Sequence, residues 1–209
     1  MYSKEITTRK AGNGLLTDAL TLRGCIGSMR RTMTVLLLLL WAHSAFAAGF
    51  VINHAEIVLS DKVYQLNARL GFDFSKDVMD AIENGVPMVL NLDIELLRPR
   101  RYFWDEEVAS LEQRYQLQYH ALSEQYVVRN LNSGAQYTFF SLSAALQNIG
   151  NVDHLPIIDQ QLLGDKNSDK VYARVRIALG FENLPVPLKL NALVSPSWWL
   201  DSDWFELTL

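Results

Sequence analysis

A chain of 209 residues, 49% hydrophobic and 20% charged with a single cysteine, has the make-up of a globular protein rather than of a disordered or disulfide-stapled one. Its formal charge is −4; setting residues 1–47 aside removes six of 19 basic and two of 23 acidic residues, leaving 13 and 21 and a charge of −8. That balance argues against nucleic acid and against electrostatic attachment to anionic lipid, since both rely on clustered Lys and Arg.

The first 47 residues read as an N-terminal extension and signal peptide. Arg30 and Arg31 form a positive n-region, Val35 to Ala42 an apolar core, and Ala45-Phe46-Ala47 the small-residue site, which predicts cleavage between Ala47 and Ala48 and a periplasmic product. Met29 and Met33 sit where such a peptide begins, so residues 1–28 are either a long n-region or a misassigned start. The alternative is an uncleaved segment, extended through Gly49 to Ile52, that anchors the chain in the inner membrane facing the periplasm. Cys25 precedes the apolar core, so residues 48–209 contain neither a disulfide nor a thiol nucleophile. They are long enough for one domain burying about two thirds of its unfolded surface.

Along that domain, Glu56 to Leu59, the turn Ser60-Asp61-Lys62 and a strand from Val63 predict a hairpin. Tyr64, Leu66, Ala68, Leu70, Phe72 and Phe74 alternate with polar residues and Gly71, the period of a strand with one buried face. Ser75 caps a helix carrying Val78, Met79, Ala81 and Ile82, which Asn84-Gly85 ends. Alternation resumes from Met88 to Leu96, and Pro99 opens a loop through Glu107. Tyr115 to His120, Gln125 to Leu131 and Gln136 to Phe140 form a meander, and a second helix with Leu142, Ala145, Leu146 and Ile149 on one face starts at Ser141 or Ser143 and closes at Gly150. His154-Leu155-Pro156 leads to a single turn over Ile157 to Leu163, and Asp165 to Lys170 is a polar loop. Val171 to Phe181 is a strand, Leu188 to Val194 an edge strand marked by Pro185 and Pro187, and Trp204 to Leu209 a terminal strand. Nine strands and two short helices predict a mainly β protein: a two-sheet antiparallel β-sandwich, immunoglobulin-like in architecture. Leu70, Phe72, Leu92 and Ile94 fall on the core faces, so Phe72→Ala is expected to cost about 3–5 kcal/mol. Asn67 and Asp93 fall on the opposite faces, where serine is expected to cost under about 0.5 kcal/mol.

Several segments together resemble a family of exported bacterial proteins known only as a domain of unknown function. They are Asn84-Gly85-Val86-Pro87, Tyr102-Phe103-Trp104-Asp105, the run from Leu117 to Val128, the Leu142 to Gly150 helix, Leu184-Pro185-Val186-Pro187-Leu188 and Trp199 to Phe205. The resemblance implies a secreted or periplasmic protein with an association to envelope signalling through a sensor histidine kinase. It implies no reaction.

His54 and Glu56 share a strand face as metal ligands would, with His120 and His154 available from elsewhere, but no HExxH or CxxC spacing supports them. Ser123, three residues from His120, lacks a nucleophile elbow and reads as a turn residue. Neither a phosphate loop nor a dinucleotide fingerprint is present, and no cofactor is expected. Arg98, Arg100 and Arg101 stand out on an acidic chain; they suit an anionic partner, or else pair with Asp105, Glu106 and Glu107 and stack on Tyr102 or Trp104. Trp198, Trp199 and Trp204 form either a ligand platform or the seal of a sandwich end.

The sequence thus favours a non-enzymatic interaction or accessory module of the envelope, with an envelope protein as partner and membrane contact only through an uncleaved signal peptide. Its interaction surface is expected at Arg98, Arg100, Arg101 and Trp104 or at Pro185 and Pro187. The alternatives are a periplasmic hydrolase or metal-dependent enzyme using His120 or His54, and a small-ligand carrier.

Overall fold

The computed structural model describes residues 48–163, 171–181 and 184–209; the expected signal peptide and the expected polar loop from Asp165 to Lys170 lie outside them. Strand β1 (Phe50–Ser60) turns into β2 (Val63–Phe72) through Asp61 and Lys62, at φ of 49° and 67°. Two left-handed residues give a turn whose twist matches the strands it joins, so the expected three-residue connection tightens to two. A bulge between Ile52 and His54 leaves Asn53 and His54 both exposed. The extra residue breaks the period of two there, which is why alternation located the strand only from Glu56.

Helix α1 (Lys76–Glu83) starts where expected: Val78 N–H donates to Ser75 Oγ at 3.3 Å, and Gly85, at φ 77°, lets the chain reverse into β3 (Met88–Arg98). Strands β4 (Glu106–His120), β5 (Gln125–Asn130) and β6 (Gln136–Phe139) continue as a meander. Helix α2 (Leu142–Gly150) is capped by Ser141, whose Oγ accepts from Ala144 N–H at 3.2 Å. A Cβ on Gly150 would lie 2.6 Å from the Leu70 carbonyl oxygen, so glycine is what lets the helix end pack against β2.

Beyond α2 two expectations are corrected. Asn151–Asp159, read as a loop leading to a turn, is strand β7, with only Gln160–Leu163 helical (α3). His154 at φ 53° and a register shift opposite Leu66 to Ala68 interrupt the alternation, and Pro156 sits on an edge strand where its missing N–H costs no ladder bond. After β8 (Tyr172–Gly180), the expected edge strand over Leu188 to Val194 is helix α4 (Val186–Val194). Pro185 is its N-cap and Pro187 lies in its first turn, where a fixed φ suits a helix and no intrahelical N–H is lost. Lys189 N–H donating to Pro185 O at 2.9 Å closes that turn. A 3₁₀ turn (Pro196–Trp198) and β9 (Phe205–Thr208) complete the described chain, so it holds four helical segments besides that turn, not two.

The strands form two antiparallel sheets, β1-β2-β7 and β6-β5-β4-β3-β8-β9, as the sequence pattern implied. Leu66, Ala68 and Leu70 of one sheet share a cluster with Leu90, Leu92, Ile94, Val175 and Ile177 of the other, plugged by Val78, Ile82, Ala145 and Ile149 of α1 and α2. A second cluster of Tyr64, Leu96, Leu163, Val171 and Ala173 closes the opposite end. Each fully enclosed aliphatic side chain contributes about 1.5–3 kcal/mol. Phe72 is only half-buried, at the rim, with its ring edge-on to Phe50 at 5.3 Å and stacked on Phe74 at 6.3 Å.

Candidate functional site

The connection between β3 and β4 carries the first expected surface. Because β3 and β4 pair down to Arg98 and Glu106, residues 99–105 project as a hairpin tip from the end of the larger sheet. Its base is braced. The Tyr172 hydroxyl donates to Asp105 Oδ2 at 2.6 Å, the Arg100 amide donates to Asp105 Oδ1 at 3.4 Å, and Glu106 Oε2 lies 3.5 Å from Arg98 and 3.0 Å from Arg100. Hydrogen bonding from Arg100, with its charge, holds the Glu106 carboxyl below the usual range, and the bond to Asp105 pushes the Tyr172 phenol up to about 12. Above this base Tyr102, Phe103 and Trp104 are 81%, 74% and 91% exposed, and Arg101 lies over the Tyr102 ring, 5.6 Å from its centroid.

The second surface lies at the other end of the same sheet. Pro185 and Pro187 are exposed, but as the first turn of α4 rather than on a strand edge. The helix buries Ala192 and half-buries Leu188, and turns Val186, Leu190, Leu193 and Val194 outward at 51% to 77% exposure. These positions fall at i, i+4, i+7 and i+8, a single aliphatic stripe facing away from the core. Trp199, 58% exposed, is fixed near it by its indole N–H donating to Ala192 O at 3.1 Å.

The histidines are not assembled. His54 is on β1 of the smaller sheet, 3.9 Å from Glu56 and exposed, whereas His120 ends β4 of the larger one. There it lines a polar depression of ≈ 200 Å³ with Gln116, Gln118, Val127, Arg129 and Gln136. His154 is on β7, where its backbone N–H donates to Asn67 Oδ1 at 2.9 Å while Asn67 Nδ2 donates to Glu56 at 3.1 Å. Among the described residues no three His, Cys, Asp or Glu side chains are grouped to hold a metal ion. Ser123 hydrogen-bonds the His120 carbonyl within the turn rather than its imidazole.

The tryptophans part company as well. Trp198 is buried, Trp199 is exposed, and Trp204 lies across the outer face of the larger sheet with Arg174 and Arg176 4.4 and 4.7 Å from its ring centroid. Those guanidinium groups pair across the ladder with Glu95 and Asp93, forming a supported charge lattice rather than a ligand platform.

A family model described as "Domain of unknown function (DUF4390)" matches residues 47–208. The chain belongs to this family. No curated protein and no solved structure matches it. The DUF4390 description assigns no activity, so no residue inherits a role from it and the two exposed surfaces stand on their geometry. The aliphatic stripe of α4 is absent from the sequence expectations, although Pro-x-Pro followed by apolar residues at helical spacing is its signal; at the tip, Tyr102 is expected only as a stacking partner of the arginines and Phe103 is given no role.

Proposed function

We propose that this protein is an exported, periplasmic interaction module of the cell envelope that acts by binding rather than by catalysis, with α4 as its docking element for an apolar helix of an envelope protein. The observation that carries this reading is the stripe of Val186, Leu190, Leu193 and Val194, left exposed on a helix whose other side is anchored in the core. An aliphatic ridge at this spacing packs into the grooves of a second helix, and an exposed apolar surface of this kind marks an interaction site in a folded chain. The space between the sheets is filled by Leu66, Leu90, Leu92, Ile94, Leu117 and Ile177, each fully enclosed, which supports binding at the surface rather than within.

A photo-crosslinking residue at position 190 tests the proposal in cells. The expected result is a discrete adduct with one membrane or periplasmic protein, lost on Leu193→Asp, while the same residue at the exposed Asn53 gives none. An unaltered adduct in Leu193→Asp, or none from position 190, refutes it.

A further inference from the structure

The β3–β4 tip lies at the end of the larger sheet opposite α4: Leu97 pairs with Tyr172 at the tip end, whereas Val89 pairs with Gly180 at the other. Three consecutive aromatic residues exposed by 74% to 91% border, with Arg101, a wide open depression of ≈ 500 Å³, which leaves the rings facing solvent rather than walling off an enclosed cavity. A protruding tip with its rings this exposed is shaped to enter a yielding medium.

Charge is segregated in the same place. Residues 98–104 contain Arg98, Arg100 and Arg101 and no carboxylate, on a chain that carries −8 from Ala48 onward. The carboxylates sit at the base of the tip: one Glu106 carboxylate serves both Arg98 and Arg100, Asp105 accepts from the Tyr172 hydroxyl, and Glu107 follows on β4 opposite Leu97. Arg101 has the Tyr102 ring beside it and no carboxylate within ion-pair distance among the described residues.

We propose that this tip is a membrane-insertion loop, with Tyr102, Phe103 and Trp104 entering the headgroup boundary of an anionic bilayer and Arg101 meeting the lipid phosphates. Amphipathic rings settle at that depth, with the Tyr hydroxyl and the Trp N–H kept in contact with headgroups and water. The net negative charge that disfavours attachment over the whole surface here confines it to one end, because an anionic surface repels the acidic body and draws the basic tip. The bracing at Asp105 and Glu106 presents the loop already ordered, so little flexibility is lost on contact.

The test follows Trp104 emission, taken as the chain processed by cells minus its Trp104→Phe variant, so that Trp41, Trp198, Trp199 and Trp204 cancel. Vesicles contain brominated acyl chains, either with phosphatidylglycerol or with phosphatidylcholine alone. Insertion is expected to quench Trp104 on the anionic vesicles. Tyr102→Ser/Phe103→Ser, exposed changes that keep the reporter and the circular dichroism spectrum, is expected to raise the half-saturating lipid at least about tenfold. Arg101→Gln is expected to raise it about fivefold on anionic vesicles and to leave the phosphatidylcholine titration unchanged. Absence of Trp104 quenching on either vesicle, or quenching indifferent to the Tyr102→Ser/Phe103→Ser change, overturns the proposal. So does an in-cell adduct from a photo-crosslinking residue at position 104 that joins a protein in place of lipid.

Discussion

Asp93→Ser separates the tertiary reading from the sequence reading by a measurable margin. Asp93 Oδ2 lies 3.1 Å from Arg176 Nη2 across the β3–β8 ladder, with the two side chains 25% and 35% exposed. The Arg176 guanidinium is 4.7 Å from the Trp204 ring centroid, and its Nε is buried without a hydrogen-bond partner. A fully exposed ion pair is worth about 0–1 kcal/mol, while a hydrogen bond to a charged group contributes about 1.5–3 kcal/mol. Half-burial places this pair between those limits. Removing the carboxylate also leaves a partly desolvated cation supported only by an indole face. The expected loss is about 1–2 kcal/mol rather than the 0.5 kcal/mol or less assigned from strand phase alone, and it shifts the urea midpoint down by about 0.5–1 M. Arg176→Met completes the cycle: the double variant is expected to recover at least about 1 kcal/mol relative to the sum of the single changes. A loss under about 0.5 kcal/mol for Asp93→Ser, or strict additivity, refutes the claim that the outer face of this sheet is energetically coupled.

Phe72→Ala is expected to cost about 1.5–3 kcal/mol in the same assay, below the range for an enclosed ring, because Phe72 is half-buried against Phe50 and Phe74. Gly150→Ala is expected to destabilise by about 1–3 kcal/mol, since its Cβ would meet the Leu70 carbonyl at 2.6 Å; a neutral result means the α2–β2 approach is looser than described. The difference tyrosinate titration between wild type and Tyr172→Phe is expected to have its midpoint near about 12 rather than near 10. With the folded pKa raised, the Tyr172–Asp105 bond supports the tip fully below pH 10 and is lost as pH rises through the folded value.

The two alternating runs, Val63 to Phe72 and Met88 to Leu96, and the capped helix between them determined their own structure, because a period of two, a serine cap and Asn84-Gly85 are local signals that agree with one another. Their alternation also placed Leu70, Leu92 and Ile94 inward. Phase fails where a bulge adds a residue, which hid the start of β1 at Phe50 and the whole of β7 from Asn151. Over Leu188 to Val194 apolar residues fit both periods; packing against the core as a helix decided between them, leaving four aliphatic side chains outside that a strand reading would not group. The tip aromatics were legible as residues, but their exposure was not, since burial depends on what the rest of the chain brings near them, and among the described residues nothing covers the rings at residues 102–104. Likewise the pairing of Asp93 with Arg176, 83 residues away, exists only because β8 returns beside β3, a register that no local pattern in either strand encodes.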